Sequence, residues 1–247
     1  MFAAVTAPTA GAAASVALED AGARVQIGID GLLTHSIALH WLAHNPQLAI
    51  VVTGLGDNLL TARVAADIEA PLTLAIRPFQ LFSIEVAQLA GLLHRETLLQ
   101  VQAVPATADH ATIQRWLNQT VGAVPNVIGL YGLGTPAANT PEQLQLMLSL
   151  ATEKRWLIVP GTTPDAGICQ VAASAGLACC GRVTLLDGED ADDVRRQISA
   201  ATEDARTHGL AVAAIPASAS GLAAVRAALA EIAEAGVDIV PISTTVR

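Results

Sequence analysis

Basic side chains are scarce in this sequence. Its 247 residues include 13 Lys and Arg against 22 Asp and Glu, which gives a formal net charge of −9. Nucleic acids and anionic membrane surfaces are bound through clustered Lys and Arg, and a net negative chain without such clusters is unsuited to either. The composition therefore argues against nucleic acid as a partner.

Long apolar runs without charge are also missing, so the sequence contains no candidate for a transmembrane segment, which needs about 18 such residues. The first residues, 1–15, lack the basic start and long apolar core of a signal peptide. They are rich in Ala, Thr, Pro and Gly without periodicity, and we interpret residues 1–23 as a linker. Two origins stay open: a linker whose upstream part has been removed, or a chain that begins here.

Cysteines are few, and their arrangement matches no common framework. Cys169, Cys179 and Cys180 have no metal-ligand spacing, and an odd number of cysteines indicates no disulfide framework. We therefore predict the adjacent Cys179 and Cys180 to be small core residues rather than a redox pair.

Aromatic residues make up only 3% of the chain and charged residues 14%, whereas hydrophobic residues reach 52%. The core must therefore consist mainly of Leu, Val, Ile and Ala. Apolar runs alternate with helical patterns from residue 48 onward, which predicts repeated βα units and a mainly parallel sheet covered on both faces. We predict strands at 48–53, 72–77, 97–102, 126–131, 156–160, 182–186, 210–215 and 237–242.

Capping signals place two of the helices. Thr140 and Pro141 start one helix, with Gln143 completing a capping box, and Ser220 opens the last helix, which ends before Gly236. No break in composition divides the chain, so we predict a single domain over 24–247. Within it, segment 24–44 is predicted to be an extra N-terminal layer with a strand at 25–29, a turn and then a helical stretch.

Five segments in order resemble the divergent polysaccharide deacetylase family, a branch of the carbohydrate-esterase deacetylase fold. LAIVVTGLG at 48–56 resembles the first strand of the family and its IDDLG turn. The other matching segments are APLTLAIRP at 70–78, ETLLQVQAVP at 96–105, GLYGLGT at 129–135, and the pair LAVAAIP at 210–216 and GVDIVPIS at 236–243. The resemblance covers about residues 46–245. It implies an α/β fold, an irregular (β/α) barrel of seven or eight mostly parallel strands, with its site at the carboxyl ends of the strands.

The family's metal-binding positions hold other residues here. In active members an Asp pair supplies a base and a ligand, and further ligands come from His and Asp. The resemblance places these positions on Thr53, Gly54, Gln100, Gly132 (or Tyr131 with a one-residue shift), Pro160 and Ile215. Zinc hydrolysis needs about three ligand side chains and an open water position. None of these residues is a usual zinc ligand, so we predict no metal, no cofactor and no catalytic residue at these positions.

The strand ends nevertheless carry polar groups that suit sugar hydroxyls. We predict a binding groove lined by Asp57, Arg77, Gln100, Gln102 and Tyr131. Ordinary strand-end polarity is the alternative interpretation of these residues.

Two other patterns resemble known sites. His40 and His44 are spaced i, i+4 on a predicted helix, but no Glu follows the first His as a zincin motif requires. Gly132-x-Gly134-x-x-Ala137 matches a dinucleotide fingerprint, but Pro136 falls in its turn and the next strand lacks a terminal acidic residue. We predict packing or surface roles for the histidines and no nucleotide site.

Three hypotheses for function remain. The first is an inactive deacetylase-like protein of carbohydrate or cell-envelope metabolism that binds a glycan or an envelope protein, with a periplasmic location implied by the resemblance. The second is an active hydrolase with relocated residues, using Asp57, Asp165 or Asp187 with a histidine from segment 24–44. The third is a structural scaffold that acts through its outer face.

Overall fold

The computed structural model describes residues 12–19, 22–29 and 32–40 as strands, and it also describes 45–101, 110–133, 141–161, 166–181, 183–188 and 190–246. The contacts divide the chain into two units, Met1–His44 and Asn45–Arg247. The second unit therefore begins one residue after the segment that we predicted to be its extra N-terminal layer.

The first unit contains an antiparallel three-stranded sheet. Its strands are β1 Ala12–Glu19, β2 Gly22–Ile29 and β3 Leu32–His40, paired in that order. The strand expected at 25–29 lies inside β2. Within the linker expected at 1–23, residues 12–19 form β1 and β2 begins at Gly22, and the helix predicted after residue 31 is wrong. Residues 32–40 pair with β2 along almost their whole length and so form the second strand of a hairpin, a pairing that the Asp30-Gly31 dipeptide favours.

The second unit alternates strands and helices as the apolar runs predicted. The strands are β4 Gln47–Leu55, β5 Thr73–Ile76, β6 Thr97–Gln100, β7 Gly129–Leu133, β8 Leu157–Pro160, β9 Val183–Leu185, β10 Leu210–Pro216 and β11 Asp238–Val240. The helices are α1 Leu59–Ala66, α2 Ser83–Leu92, α3 His110–Ala123, α4 Pro141–Lys154, α5 Ala166–Ser174, α6 Ala191–His208 and α7 Ala219–Glu234. A short 3-10 turn, Ile242–Thr244, follows β11.

Seven parallel strands form a nearly closed barrel in the order β8-β7-β6-β5-β4-β10-β9, and β11 pairs with the start of β4. At the seam beside β8, the segment around Cys179 adds a parallel bridge to Ile158. The predicted irregular (β/α) barrel of seven or eight mostly parallel strands is therefore confirmed.

Alternate residues of each strand enter two different cores. Along β4, Leu48, Ile50 and Val52 pack in an outer cluster with the helices. Ala49 and Val51 belong to an interior cluster that fills the barrel. Because both faces are covered, the strands appear in the sequence as continuous apolar runs. The interior cluster consists of Ala49, Val51, Ala75, Leu98, Tyr131, Leu157, Val159, Cys180, Val183, Val212, Ala214 and Ile242.

The helix ends follow their local signals with one correction. Helix α4 begins at Pro141 as predicted. Helix α7 is capped by Ser218, whose hydroxyl accepts the Gly221 N–H, and not by Ser220. Gly236, just beyond the end of α7, has a φ of +70°, as the predicted C-terminal position requires.

The cysteine prediction is wrong in part. Cys169 on α5 and Cys179 form a disulfide that joins this helix to the segment paired with β8 at the barrel seam. The adjacent Cys180 is a free thiol buried in the interior cluster. An odd number of cysteines excluded a complete framework but not a single pair, and only folding brings residues 169 and 179 together.

Candidate functional site

The mouth of the barrel is formed where its parallel strands end, and its backbone is unusual at β4 and β7. Gly54 has a φ of +80°, Gly56 a φ of +129° and Gly132 a φ of +92°. These values lie where side chains with a Cβ are disfavoured. A Cβ at Gly56 would also lie 3.0 Å from the Arg77 carbonyl oxygen. The glycines therefore allow the loop after β4 to lie against the loop after β5.

Four residues form one connected set of hydrogen bonds there, which we call the mouth network: Gly54, Asp57, Arg77 and Gln100. The Gln100 Oε1 atom accepts the Gly54 N–H at 2.7 Å. Arg77 Nη2 donates to the Gly54 carbonyl at 3.0 Å and to Asp57 Oδ2 at 2.7 Å. Three of the predicted groove residues, from three adjacent strands or their loops, are thus brought together through one glycine backbone.

The loop that carries Arg77 is fixed by its own hydrogen bonds. The buried Ser83 hydroxyl donates to the Arg77 carbonyl at 2.7 Å and accepts the Gln80 N–H at 2.9 Å. The Phe82 N–H donates to the Gly56 carbonyl at 2.8 Å. These bonds tie the β5–α2 loop to the β4–α1 loop. Sequence reasoning missed Ser83, which is the first residue of α2 and bonds back to the loop rather than capping the helix.

Tyr131 does not line an open groove as predicted. Its side chain is 6% exposed and belongs to the interior cluster. Burial, with a further effect from the nearby Cys180, raises the pKa of Tyr131 to about 12. Strand alternation turns this residue into the barrel, whereas the apolar run around it left the direction of its side chain undetermined.

At the other positions that the resemblance assigns to the metal site, the side chains point in different directions. Thr53 is buried, and its hydroxyl donates to the Ile215 carbonyl at 3.4 Å. Ile215 is buried in the outer cluster, against the helices rather than inside the barrel. Pro160 is the last residue of β8. Gln102 lies outside the described residues.

The relocated hydrolase site receives no support from Asp57, whose partner is Arg77 rather than a histidine. The backbone amide and carbonyl of Asp187 are bound by the Gln197 side chain. His40 ends a strand, so the predicted helical pair with His44 is not formed as a helix face. His44 and Asp165 lie outside the described residues.

A catalytic metal does not fit the donors at this mouth. Zinc takes thiolate, imidazole or carboxylate ligands, whereas the Gln100 amide oxygen here accepts the Gly54 N–H. Asp57 is the one carboxylate of the mouth network, and it pairs with Arg77. Among the described residues, no three His, Cys, Asp or Glu side chains come together in a way that could hold a metal ion.

Exposed apolar side chains also occur on the β5–α2 loop and at the start of α1. Leu60, Phe79 and Leu81 are exposed, and Phe79 adopts a φ of +59°. A non-glycine residue in this conformation is strained, and such strain concentrates at functional sites. Sequence reasoning missed these residues because apolar residues are usually assigned to the core.

Other concave surfaces lie at the opposite end of the barrel. One, of about 310 Å³, is lined by Asp204, His208 and the first residues of β10. Another, of about 560 Å³, lies beside α7 and the start of β11. Both are near the amino ends of the strands, whereas ligands of parallel β/α folds bind at the carboxyl ends.

Comparison with known proteins agrees with this architecture. A profile of the family described as divergent polysaccharide deacetylase matches residues 50–246. The chain belongs to the divergent polysaccharide deacetylase family. A search of curated protein sequences found no significant match.

Solved structures share the fold of this family member at low sequence identity. An uncharacterized protein, ATU2773 from Agrobacterium tumefaciens C58, has a TM-score of 0.72 and 22% identity, covering 83% of this chain and 90% of its own. BA3943 from Bacillus anthracis, described as a CE4 family pseudoenzyme, has a TM-score of 0.54 and 10% identity, covering 82% and 66%. A BA3943 mutant described as having restored enzymatic activity has a TM-score of 0.55 and 10% identity, covering 82% and 68%. At these identities the likeness shows the fold alone.

Within the described part of the chain, no helix is both long and apolar enough to cross a bilayer.

Proposed function

We propose that this barrel is a catalytically inactive deacetylase-like protein of carbohydrate metabolism in the cell envelope, and that it binds a glycan at its mouth. The hydrogen bond from the Gly54 N–H to Gln100 Oε1 carries this proposal. It joins two positions that the family resemblance assigns to the metal site. A hydrogen bond within the protein therefore occupies the space in which the metal ligands would lie. Neither group supplies a base or a metal ligand for hydrolysis.

The polar groups that remain suit sugar recognition. A carboxylate at Asp57, a guanidinium at Arg77 and an amide at Gln100 supply acceptors and donors within one network. The exposed Phe79 adds an apolar surface beside them. The fold-level likeness to BA3943, a protein described as a CE4 family pseudoenzyme, is consistent with loss of activity in barrels of this shape.

The test combines metal analysis, acetate release and binding. Purified protein is incubated with zinc and acetylated chitooligosaccharides, with an active peptidoglycan deacetylase as the positive control. We expect less than stoichiometric zinc, no acetate release and measurable saturable binding of the oligosaccharide. Stoichiometric zinc together with acetate release that a chelator abolishes would overturn the proposal in favour of an active deacetylase. The absence of any binding would overturn the glycan-binding part.

A periplasmic location forms part of the proposal. Disulfides persist in oxidising compartments and are rare in the reducing cytosol. The Cys169–Cys179 disulfide therefore supports an oxidising compartment such as the periplasm. Alkylation of protein taken directly from its host cells, without reductant and under denaturing conditions, should label Cys180 alone. Labelling of all three cysteines in freshly isolated protein would contradict this location.

A protein partner is the second candidate function, and the exposed Leu60, Phe79 and Leu81 favour it. Large apolar side chains that are exposed together on a surface commonly mark protein interfaces. Cross-linking in envelope extracts, compared between the wild type and a Phe79→Ser, Leu81→Ser variant, tests this candidate. A partner that is captured by both proteins equally does not bind through these loops.

A further inference from the structure

Helix α2 is apolar on its outer side as well as on the side that packs against the barrel. Val86, Ala87 and Ala90 are buried on the inner side. On the outer side Ile84 is 48% exposed and Leu92 is 78% exposed. The helix, SIEVAQLAGL, has one charged residue. A helix that is apolar all round is expected in a protein interior, so the outer side of α2 is a candidate for contact with another surface.

The outer side of α2 has a symmetric arrangement of five exposed residues, which we call the α2 face: Ile84, Glu85, Gln88, Gly91 and Leu92. Positions three and four apart lie on one side of a helix. Gln88 is at the centre, and an apolar residue lies four positions away in each direction. Glu85 and Gly91 each lie three positions away. A twofold rotation about Gln88 therefore superposes the α2 face on the positions of a second, antiparallel copy.

Each group of the α2 face meets a suitable group in such a pair. Ile84 of one copy lies beside Leu92 of the other, which buries both. The amide of Gln88 has donors and an acceptor, so two copies of it can bond to each other across the axis. Glu85 of one copy lies over Gly91 of the other, where an added Cβ would meet no atom within 4 Å. The open space at this glycine allows the two helices to approach closely.

Charge favours this pairing over other arrangements. The net charge of −9 makes two copies repel each other over most of their surfaces, whereas the α2 face carries a single charge per copy. A parallel pair would place the two Glu85 carboxylates side by side, which is costly. The antiparallel pair separates them and directs each one toward the exposed His94, just beyond the end of the other helix.

We propose that the α2 face binds a second copy of this chain and forms an isologous dimer with Gln88 on its twofold axis. The inference goes beyond the proposed function and does not depend on glycan binding, because these five residues are not part of the mouth network.

The first test measures dimerisation of the full chain by sedimentation velocity over a range of micromolar concentrations. We expect the wild type to dimerise. Gln88→Glu keeps the size of the side chain and places two like charges at the axis, which should weaken the dimer at least about tenfold. Gln114 is exposed on α3 and provides the matched control, because Gln114→Glu adds the same charge away from the α2 face. The control should dimerise as the wild type does.

The second test locates the interface by cross-linking. A disulfide forms only when two Cα atoms lie within about 7 Å of each other. Mild oxidation of Gln88→Cys should therefore give a covalent dimer on a denaturing gel, and Gln114→Cys should remain a single chain.

A wild type that is monomeric at every concentration overturns the inference, whether residues 1–44 or another protein then covers the α2 face. A dimer that keeps its affinity in Gln88→Glu, or that does not cross-link through Gln88→Cys, also overturns it, because the copies then meet elsewhere. Both substitutions are at an exposed position, and thermal melting confirms that the variants are folded.

Discussion

The two ends of the barrel use their polar side chains differently. At the base, where the strands begin, Arg95 donates to three backbone carbonyls, those of Ala66, Ile68 and Ala70, at 3.1, 2.6 and 2.5 Å. The neighbouring Glu96 accepts from the backbone and the hydroxyl of Ser243. The Glu96 contacts hold the C-terminal 3-10 turn, and Ile242 from this turn packs in the interior cluster.

At the mouth the polar groups are more open. Asp57 and Arg77 are partly exposed, and the loops that carry them contain Gly56 and Phe79, both with positive φ. At the base, the side chains of Arg95 and Glu96 mainly bond to backbone groups far away in the sequence. At the mouth, the side chains of Asp57 and Arg77 keep part of their surface exposed to solvent. In β/α barrels the base serves stability and the mouth serves ligands.

Removing the base contacts of Arg95 should have the largest effect on stability. Arg95→Ala leaves three carbonyls without their charged donor, and hydrogen bonds to charged groups contribute about 1.5–3 kcal/mol each in isolation. Because the three share one side chain, we expect a total loss of about 3 kcal/mol in the free energy of unfolding. Urea denaturation measures this loss.

Arg196→Ala is the matched control. Arg196 is exposed and pairs with Asp193 within one turn of α6, so its loss should cost less than about 0.5 kcal/mol. Equal effects of the two substitutions would show that Arg95 does not fasten the base.

The disulfide at the seam should have the next largest effect. Replacing both Cys169 and Cys179 with Ala removes a cross-link across a sequence separation of 10 residues. A loop of this size corresponds to about 2–3 kcal/mol of stabilisation in the chain-entropy model. Calorimetry of the double variant and of reduced wild-type protein should give similar decreases in Tm. A wild-type Tm that is insensitive to reductant would contradict the pairing.

The mouth network should have the smallest effect on stability. Gln100→Ala removes one neutral hydrogen bond to the Gly54 N–H, which is worth about 1 kcal/mol. Gln114→Ala on the exposed face of α3 is the control and should leave the unfolding free energy within about 0.5 kcal/mol of the wild type. We expect Gln100→Ala to weaken oligosaccharide binding more strongly than it weakens the fold. The reverse order would make Gln100 a structural residue of the mouth.

The strands of the barrel could be predicted because their signal is local. The run Leu48–Val52 is apolar throughout, since the outer and interior clusters cover both faces of β4. The family could be recognised because five short segments occur in a fixed order. Helix ends could be predicted from capping residues. The cap of α7 was misplaced by two residues, because it is Ser218 and not Ser220.

The site could be predicted only in part. Asp57, Arg77 and Gln100 were candidates because they end strands or follow them, and the structure joins them. Tyr131 was misplaced because a strand end does not reveal which face a side chain takes. The strand β3 was missed because Asp30-Gly31 was interpreted as a simple turn, whereas this dipeptide favours a hairpin and β3 pairs with β2.

The sequence by itself determined the parallel β/α architecture, the family and the absence of acidic or histidine side chains at the family's metal-binding positions. Those properties depend on residue identity and on periodicity over a few neighbours. Only the tertiary structure decided that Gln100 accepts the Gly54 N–H, that Cys169 pairs with Cys179, and that Arg77 donates to both Gly54 and Asp57. Each of these is a contact in space between residues that lie apart in the chain, and its geometry is set by how the strands and loops pack together.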